Sequence, residues 1–159
     1  MSKSVSLAAA ASLAIAALAG PVSAATFTPN SPTGTTPVAF GGTLTIGPPS
    51  ISCSVSLTGV VNPGGSSITI TGGSFTPGSW LCGVGAYPAG FPWTLTPTTT
   101  TAVTFTPISV AGAINCSGAT TVQWVNPGTI VFSAVVVPGS PNPCQISGTL
   151  NTAPSLSIY

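Results

Sequence analysis

From Ile51 to Val61 the chain reads Ile-Ser-Cys-Ser-Val-Ser-Leu-Thr-Gly-Val-Val, an apolar side chain at nearly every second position with hydroxyls between. Successive side chains on a strand point to opposite faces, so this period gives one apolar face and one wettable face. The pattern returns at Val38, Phe40, Leu44 and Ile46, at Ile68 and Ile70, at Val103 and Phe105, and at Cys144, Ile146 and Leu150. With 17 prolines and 19 glycines, the chain leaves no room for a helix beyond its N-terminal segment. Asn-Pro-Gly at Asn62 and at Asn126 supplies turns. The run from Ile130 to Val137 is apolar on both faces and reads as a central strand. About ten short strands, with turn signals roughly every 8–12 residues, imply an all-β sandwich or barrel. The expected form is a disulfide-braced β-sandwich, Ig-like or Greek-key.

The wettable face is made of Ser and Thr because nothing charged is available. Lys3 is the one charged side chain; there is no Asp, Glu, His or Arg. That inventory excludes most chemistry. No side chain is left for general acid–base work near neutral pH, and a Ser or Cys nucleophile would have no base. Without imidazoles or carboxylates no metal or cofactor site is expected, and without cations no nucleic-acid footprint. The reading is of a protein that is not an enzyme. Native sheets guard their edges with Lys and inward charges. Here only Pro, Gly, short strands and disulfides can do so, which suits a protein that self-associates or sits at an apolar surface.

Residues 1–24 read as a secretory signal peptide. Lys3 precedes an apolar run from Val5 to Leu18, Gly20-Pro21 breaks it, and Val22-Ser23-Ala24 is a small-x-small cleavage pattern, with the cut after Ala24 or Ala25. The run is shorter than the roughly 20 residues a membrane span needs, so no integral span is expected. The chain is read as secreted, with the cell surface or periplasm as further locations. Residues 25–159 are read as one Ser/Thr-rich β-domain.

Cys53, Cys82, Cys116 and Cys144 all follow the leader, and four cysteines in an exported chain read as two disulfides. Three connectivities are open. A weak internal repeat favours one of them. Ile51-Ser52-Cys53-Ser54 is echoed by Ile114-Asn115-Cys116-Ser117, and each is followed by Val-Asn-Pro-Gly and then by another cysteine. Two related units, about 38–100 and 101–159, would each close its own loop, pairing Cys53 with Cys82 and Cys116 with Cys144.

Between Trp80 and Trp93 the chain carries Trp80, Tyr87, Phe91 and Trp93 among glycines and prolines. Such a loop can offer aromatic faces to a hydrocarbon, a glycan or a partner, so these four are the candidate apolar contact surface. The competing role is structural, with Trp80, Phe91 and Trp93 plugging one end of the fold.

Cys82-Gly83, Gly90-Phe91-Pro92-Trp93-Thr94-Leu95-Thr96, Cys144-Gln145-Ile146-Ser147-Gly148-Thr149-Leu150 and Leu156-Ser157-Ile158 together resemble the PraB family. These are small exported bacterial proteins described as activators of alkane oxidation. The resemblance implies an extracellular protein that helps cells use n-alkanes by dispersing or contacting the oil. Its implied partner is a hydrophobic interface or hydrocarbon. It carries over no catalytic residue, only the cysteines. The alternative function is a self-assembling extracellular structural or fibre subunit. An outer-membrane barrel is set aside, because its lumen and loops are normally polar and often charged, and because Leu156 and Ile158 face away from Tyr159.

Overall fold

A computed structural model describes residues 24–76 and 79–159. The leader falls outside the described residues, except Ala24, which is exposed; Ala25 packs partly against the core. Eleven strands are seen among the described residues: β1 (Phe27–Thr28), β2 (Thr36–Gly47), β3 (Ile51–Val61), β4 (Ile68–Thr76), β5 (Ala86–Pro88), β6 (Trp93–Thr99), β7 (Ala102–Gly112), β8 (Cys116–Val125), β9 (Thr129–Val137), β10 (Cys144–Ala153) and β11 (Ser157–Ile158). A single 3-10 turn, Pro63–Gly65, is the helical element among them.

The all-β expectation holds, but the sandwich does not form. Going round the wall, β2, β3, β4, β6, β7, β8, β9 and β10 each pair antiparallel with the next, and β10 pairs back onto β2. The result is a closed eight-stranded up-and-down barrel rather than two Greek-key sheets. Strand β5 extends the ladder of β6 along β7, pairing Ala86 with Gly112 and Pro88 with Val110. One packed face per strand is common to both architectures, so the alternation is the same in each. Closure depends on the β2–β10 seam, where Ile46 meets Ile146 and Phe40 meets Thr152 across most of the chain. At that seam a Cβ on Gly42 would strike the Thr149 carbonyl, and one on Gly148 (φ 133°) the Thr43 carbonyl. Glycine therefore lets two tightly coiled strands close.

The inward residues fill the barrel. Trp93, Trp124, Phe27, Phe40, Phe105, Leu57 and Ile130 are among the fully buried side chains. Burying each such side chain contributes about 1.5–3 kcal/mol. An eight-stranded barrel is just wide enough for its side chains to fill, and the void left among Leu44, Leu57, Trp93, Phe105 and Phe132 is about 10 Å³. The outward face of β3 is Ser52, Ser54, Ser56 and Thr58, all exposed. A membrane barrel instead turns an apolar band outward. No helix among the described residues is long and apolar enough to cross a membrane.

The Ile130–Val137 run corrects a second expectation. Ile130, Phe132 and Val137 point inward, while Val131 and Val135 are half-buried and Val136 is exposed on the outer wall. A closed barrel has no central strand covered on both sides. A bulge at Ser133–Ala134, opposite Ser147, also shifts the phase midway, with the Ala134 amide donating to the Ser147 hydroxyl at 3.1 Å.

Strand directions sort the connections into two poles. The Val-Asn-Pro-Gly turns, the β6–β7 turn and the terminal ribbon β1–β11 lie at one, here the ribbon pole. There Phe27 meets Trp124 edge-on at 5.3 Å, and Leu156 and Ile158 are buried. The connections β2–β3, β4–β6, β7–β8 and β9–β10 lie at the other, the loop pole.

Candidate functional site

The loop pole carries both disulfides, Cys53–Cys82 and Cys116–Cys144. Cys53 lies near the start of β3, and its bridge ties the β4–β6 connection to the wall. Cys116 and Cys144 open β8 and β10, and their bridge spans the β9–β10 loop. No free cysteine remains, so the pole has no thiol nucleophile or thiolate ligand.

The β4–β6 connection folds around one carbonyl. Leu81 turns its side chain toward the core, and its carbonyl accepts from the amides of Val84, Gly85 and Ala86 at 3.3, 2.6 and 3.0 Å. The Cys82 amide donates to Ser79 at 3.0 Å and the Gly83 amide to Ala86 at 2.8 Å. With Leu81 inward, its neighbours turn out: Trp80 is 84% exposed and Val84 72%.

The four sequence-derived aromatics separate here. Trp80 stands in solvent, and Tyr87, on β5 opposite Ala111, is 41% exposed. Phe91 is half-buried and stacks on Trp93 at 4.6 Å. Trp93 itself is only 2% exposed, and its indole N–H donates to the Ala89 carbonyl at 2.8 Å. It is a core residue and offers no contact surface. The reason is phase, because Trp93 begins the alternation Trp93-Thr94-Leu95-Thr96 and shares the inward face with Leu95. Val84 was missed; a bulky apolar residue between two glycines, outside any alternation, was the signal for it.

Neighbouring loops join this connection. The Gly85 carbonyl accepts from the amides of Ala113 and Ile114 at 2.8 and 3.3 Å, and the Ser140 amide donates to Asn115 at 3.1 Å. Pro48, Pro49, Asn115 and Pro141 surround a cleft of about 230 Å³. No loop of this pole contains an Asp, Glu, His, Lys or Arg. Among the described residues no buried side-chain polar atom lacks a hydrogen bond. The arrangement offers apolar and hydroxyl surface, with no carboxylate, imidazole or amine side chain beside it.

No curated relative and no solved structure matches the chain. A family model described as alkane oxidation protein activator PraA/PraB-like matches residues 1–159. The match covers the whole chain, so the chain belongs to the PraA/PraB-like family of alkane oxidation protein activators.

Proposed function

We propose that the protein is a secreted, non-enzymatic factor that promotes alkane utilisation by contacting hydrophobic or oil–water interfaces. The observation that carries this reading is the exposure of Trp80 and Val84 together on one disulfide-tied loop of a barrel whose strands turn mostly Ser and Thr outward. Scattered exposed apolar residues are ordinary, whereas apolar residues gathered on one loop are the kind of surface that contacts an apolar partner. The family description supplies the alkane. The packed interior decides where the contact is made. A void of about 10 Å³ has no room for an alkyl chain, so the protein does not carry its hydrocarbon inside as a ligand-binding barrel does. Two disulfides suit an oxidising compartment.

The test combines adsorption with growth. Purified protein at micromolar concentration should coat hexadecane droplets and lower their interfacial tension, and Trp80→Ser should weaken both effects. Cells lacking the gene should grow more slowly on alkane than on a soluble carbon source, and added protein should restore them. Equal growth on both sources, or droplets that bind no more of this protein than of a control secreted β-domain, would overturn the reading.

The outward side of β9, with Val136 exposed and Val131 half-buried, favours a second reading, a self-assembling structural subunit. Each wall strand already has a hydrogen-bonded neighbour on both sides, so assembly would go through side-chain faces and not through strand addition. Persistent monomer in light scattering of concentrated protein would remove it.

A further inference from the structure

We infer that the barrel meets the apolar phase end-on, through a cap made of all four loops of the loop pole, with Pro48, Pro49, Pro138 and Pro141 completing the contact begun by Trp80 and Val84. The inference rests on the interfacial function proposed above and specifies its geometry and partner, a liquid hydrocarbon surface.

Three observations carry it. The first is continuity. Gly85 is bonded to Ala113 and Ile114, Asn115 to Ser140, and Pro138 to Ser117 at 2.9 Å, which joins three of the loops, and Pro48 and Pro49 of the fourth line one cleft with Ile114, Asn115 and Pro141. The second is the backbone. An N–H immersed in oil without a partner loses its bond to water, at substantial cost. From Cys82 to Ala86 every amide already donates within the protein. The four rim prolines are exposed and have no N–H to lose. The exposed polar side chains among these loops are few, chiefly Ser50, Asn115, Ser140 and Asn142, and the Asn115 amide is turned onto the Gly112 carbonyl at 3.0 Å. The third is charge complementarity. With no Asp, Glu, His, Lys or Arg in any of the four loops, the cap matches a phase without charge and has nothing to pair with an anionic headgroup.

Each pole has its own reporter. Trp80 marks the loop pole, and Tyr159, 74% exposed, marks the ribbon pole. Hydroxyl-radical footprinting of wild-type protein on hexadecane droplets should protect Trp80 and leave Tyr159 as reactive as in solution. Protection of Tyr159 equal to that of Trp80 would overturn the end-on geometry. Variants then test the rim. Pro48→Ser, Pro49→Ser, Pro138→Ser and Pro141→Ser combined, with Trp80 and Val84 intact, should weaken adsorption roughly tenfold. Val125→Ser with Tyr159→Ser at the ribbon pole, and Val131→Ser with Val136→Ser on the wall, should stay within about twofold of wild type. A larger loss from the wall or ribbon-pole pair than from the rim set would overturn the inference while leaving interfacial activity standing. Wild-type protein that does not adsorb at all would remove the proposed function and this geometry together. Because footprinting uses the wild-type chain, a rim variant that fails to fold leaves that arm decisive.

Discussion

The two poles of the barrel are closed by different means. At the ribbon pole the closure is packing and hydrogen bonding. Phe27, Trp124, Leu156 and Ile158 are buried together, and the Asn126 amide clamps Ile158 from both sides, accepting from its N–H at 2.9 Å and donating to its carbonyl at 3.1 Å. At the loop pole the closure is covalent, through Cys53–Cys82 and Cys116–Cys144. Packing holds a loop down only because apolar groups prefer the core to water. Against oil that preference disappears, and Leu81 gains little by staying inside. A disulfide is indifferent to the polarity of the medium. On the proposed end-on geometry, covalent closure stands at the end that meets the apolar phase, and hydrogen-bonded closure at the end that stays in water.

The largest expected effect follows directly. Replacing Cys53 and Cys82 together by Ala should lower stability by about 3–4 kcal/mol, the loop-closure value for a bridge across roughly 30 residues, and denaturant unfolding measures it. On droplets the same variant should lose its barrel circular dichroism, whereas a ribbon-pole variant of matched stability should keep it. If both variants unfold equally on oil, the bridge is a general brace and the contrast between poles fails.

The next effect compares two turns of identical sequence at one pole. Gly64 (φ 71°) and Gly128 (φ 72°) both occupy the left-handed region. A Cβ at Gly64 would meet open space, whereas at Gly128 it would strike the Thr152 hydroxyl, which accepts from the Leu156 amide at 3.0 Å. Gly64→Ala should cost about 1 kcal/mol of backbone strain. Gly128→Ala should cost about 2–3 kcal/mol, since it also displaces that hydroxyl. Equal costs in thermal melts would mean that the second turn does not anchor the terminal ribbon.

The asparagines of the same turns give a smaller contrast. Asn126 accepts the buried Trp124 indole N–H at 2.7 Å as well as holding Ile158, whereas Asn62 bonds the hydroxyls of Ser67 and Thr69 at 2.8 and 3.0 Å. Those hydroxyls can turn to water, but the indole N–H cannot. Asn126→Ala should cost about 2 kcal/mol and Asn62→Ala about 1 kcal/mol or less. Neither should change droplet adsorption, because both lie at the ribbon pole.

The wall was largely legible from sequence and the closures were not. Ile51–Val61 announces its strand and its buried face residue by residue, because period two is a local property. Nothing local separates a sandwich from a barrel. That choice is made where β10 meets β2, between residues about a hundred positions apart. The two-residue strands β1 and β11 carry no period at all. Trp80 and Trp93 show the same limit within the site. Trp93 sits in phase with Leu95 and could be assigned inward, but Trp80 lies in an irregular turn whose direction is set by Leu81 and the Cys53–Cys82 bridge. Ile130–Val137 misled because apolar residues on both faces suggest burial on both faces, and Val136 is instead exposed on the outer wall.

The smallest expected effect is none, and it applies to both poles. The dependence of stability on pH equals 2.303RT times the difference in protons bound by the unfolded and native states. Between about pH 4.5 and 7 carboxylates and imidazoles supply that difference in ordinary proteins, and this sequence has neither in its side chains. Apart from the chain ends, the two states bind equal numbers of protons across the window, and the slope is zero. Unfolding midpoints and droplet adsorption should therefore be flat with pH there, for the wild type and for the Asn126→Ala and Gly128→Ala variants alike. Added salt should not weaken adsorption by screening, because the contact surface holds no charge to screen. A pH step in adsorption without one in stability would locate a titrating group at the loop pole, such as a bound ion or a modified hydroxyl, and would break the match between an uncharged cap and an uncharged phase. A step in stability alone would place the group away from the contact surface and leave that match intact.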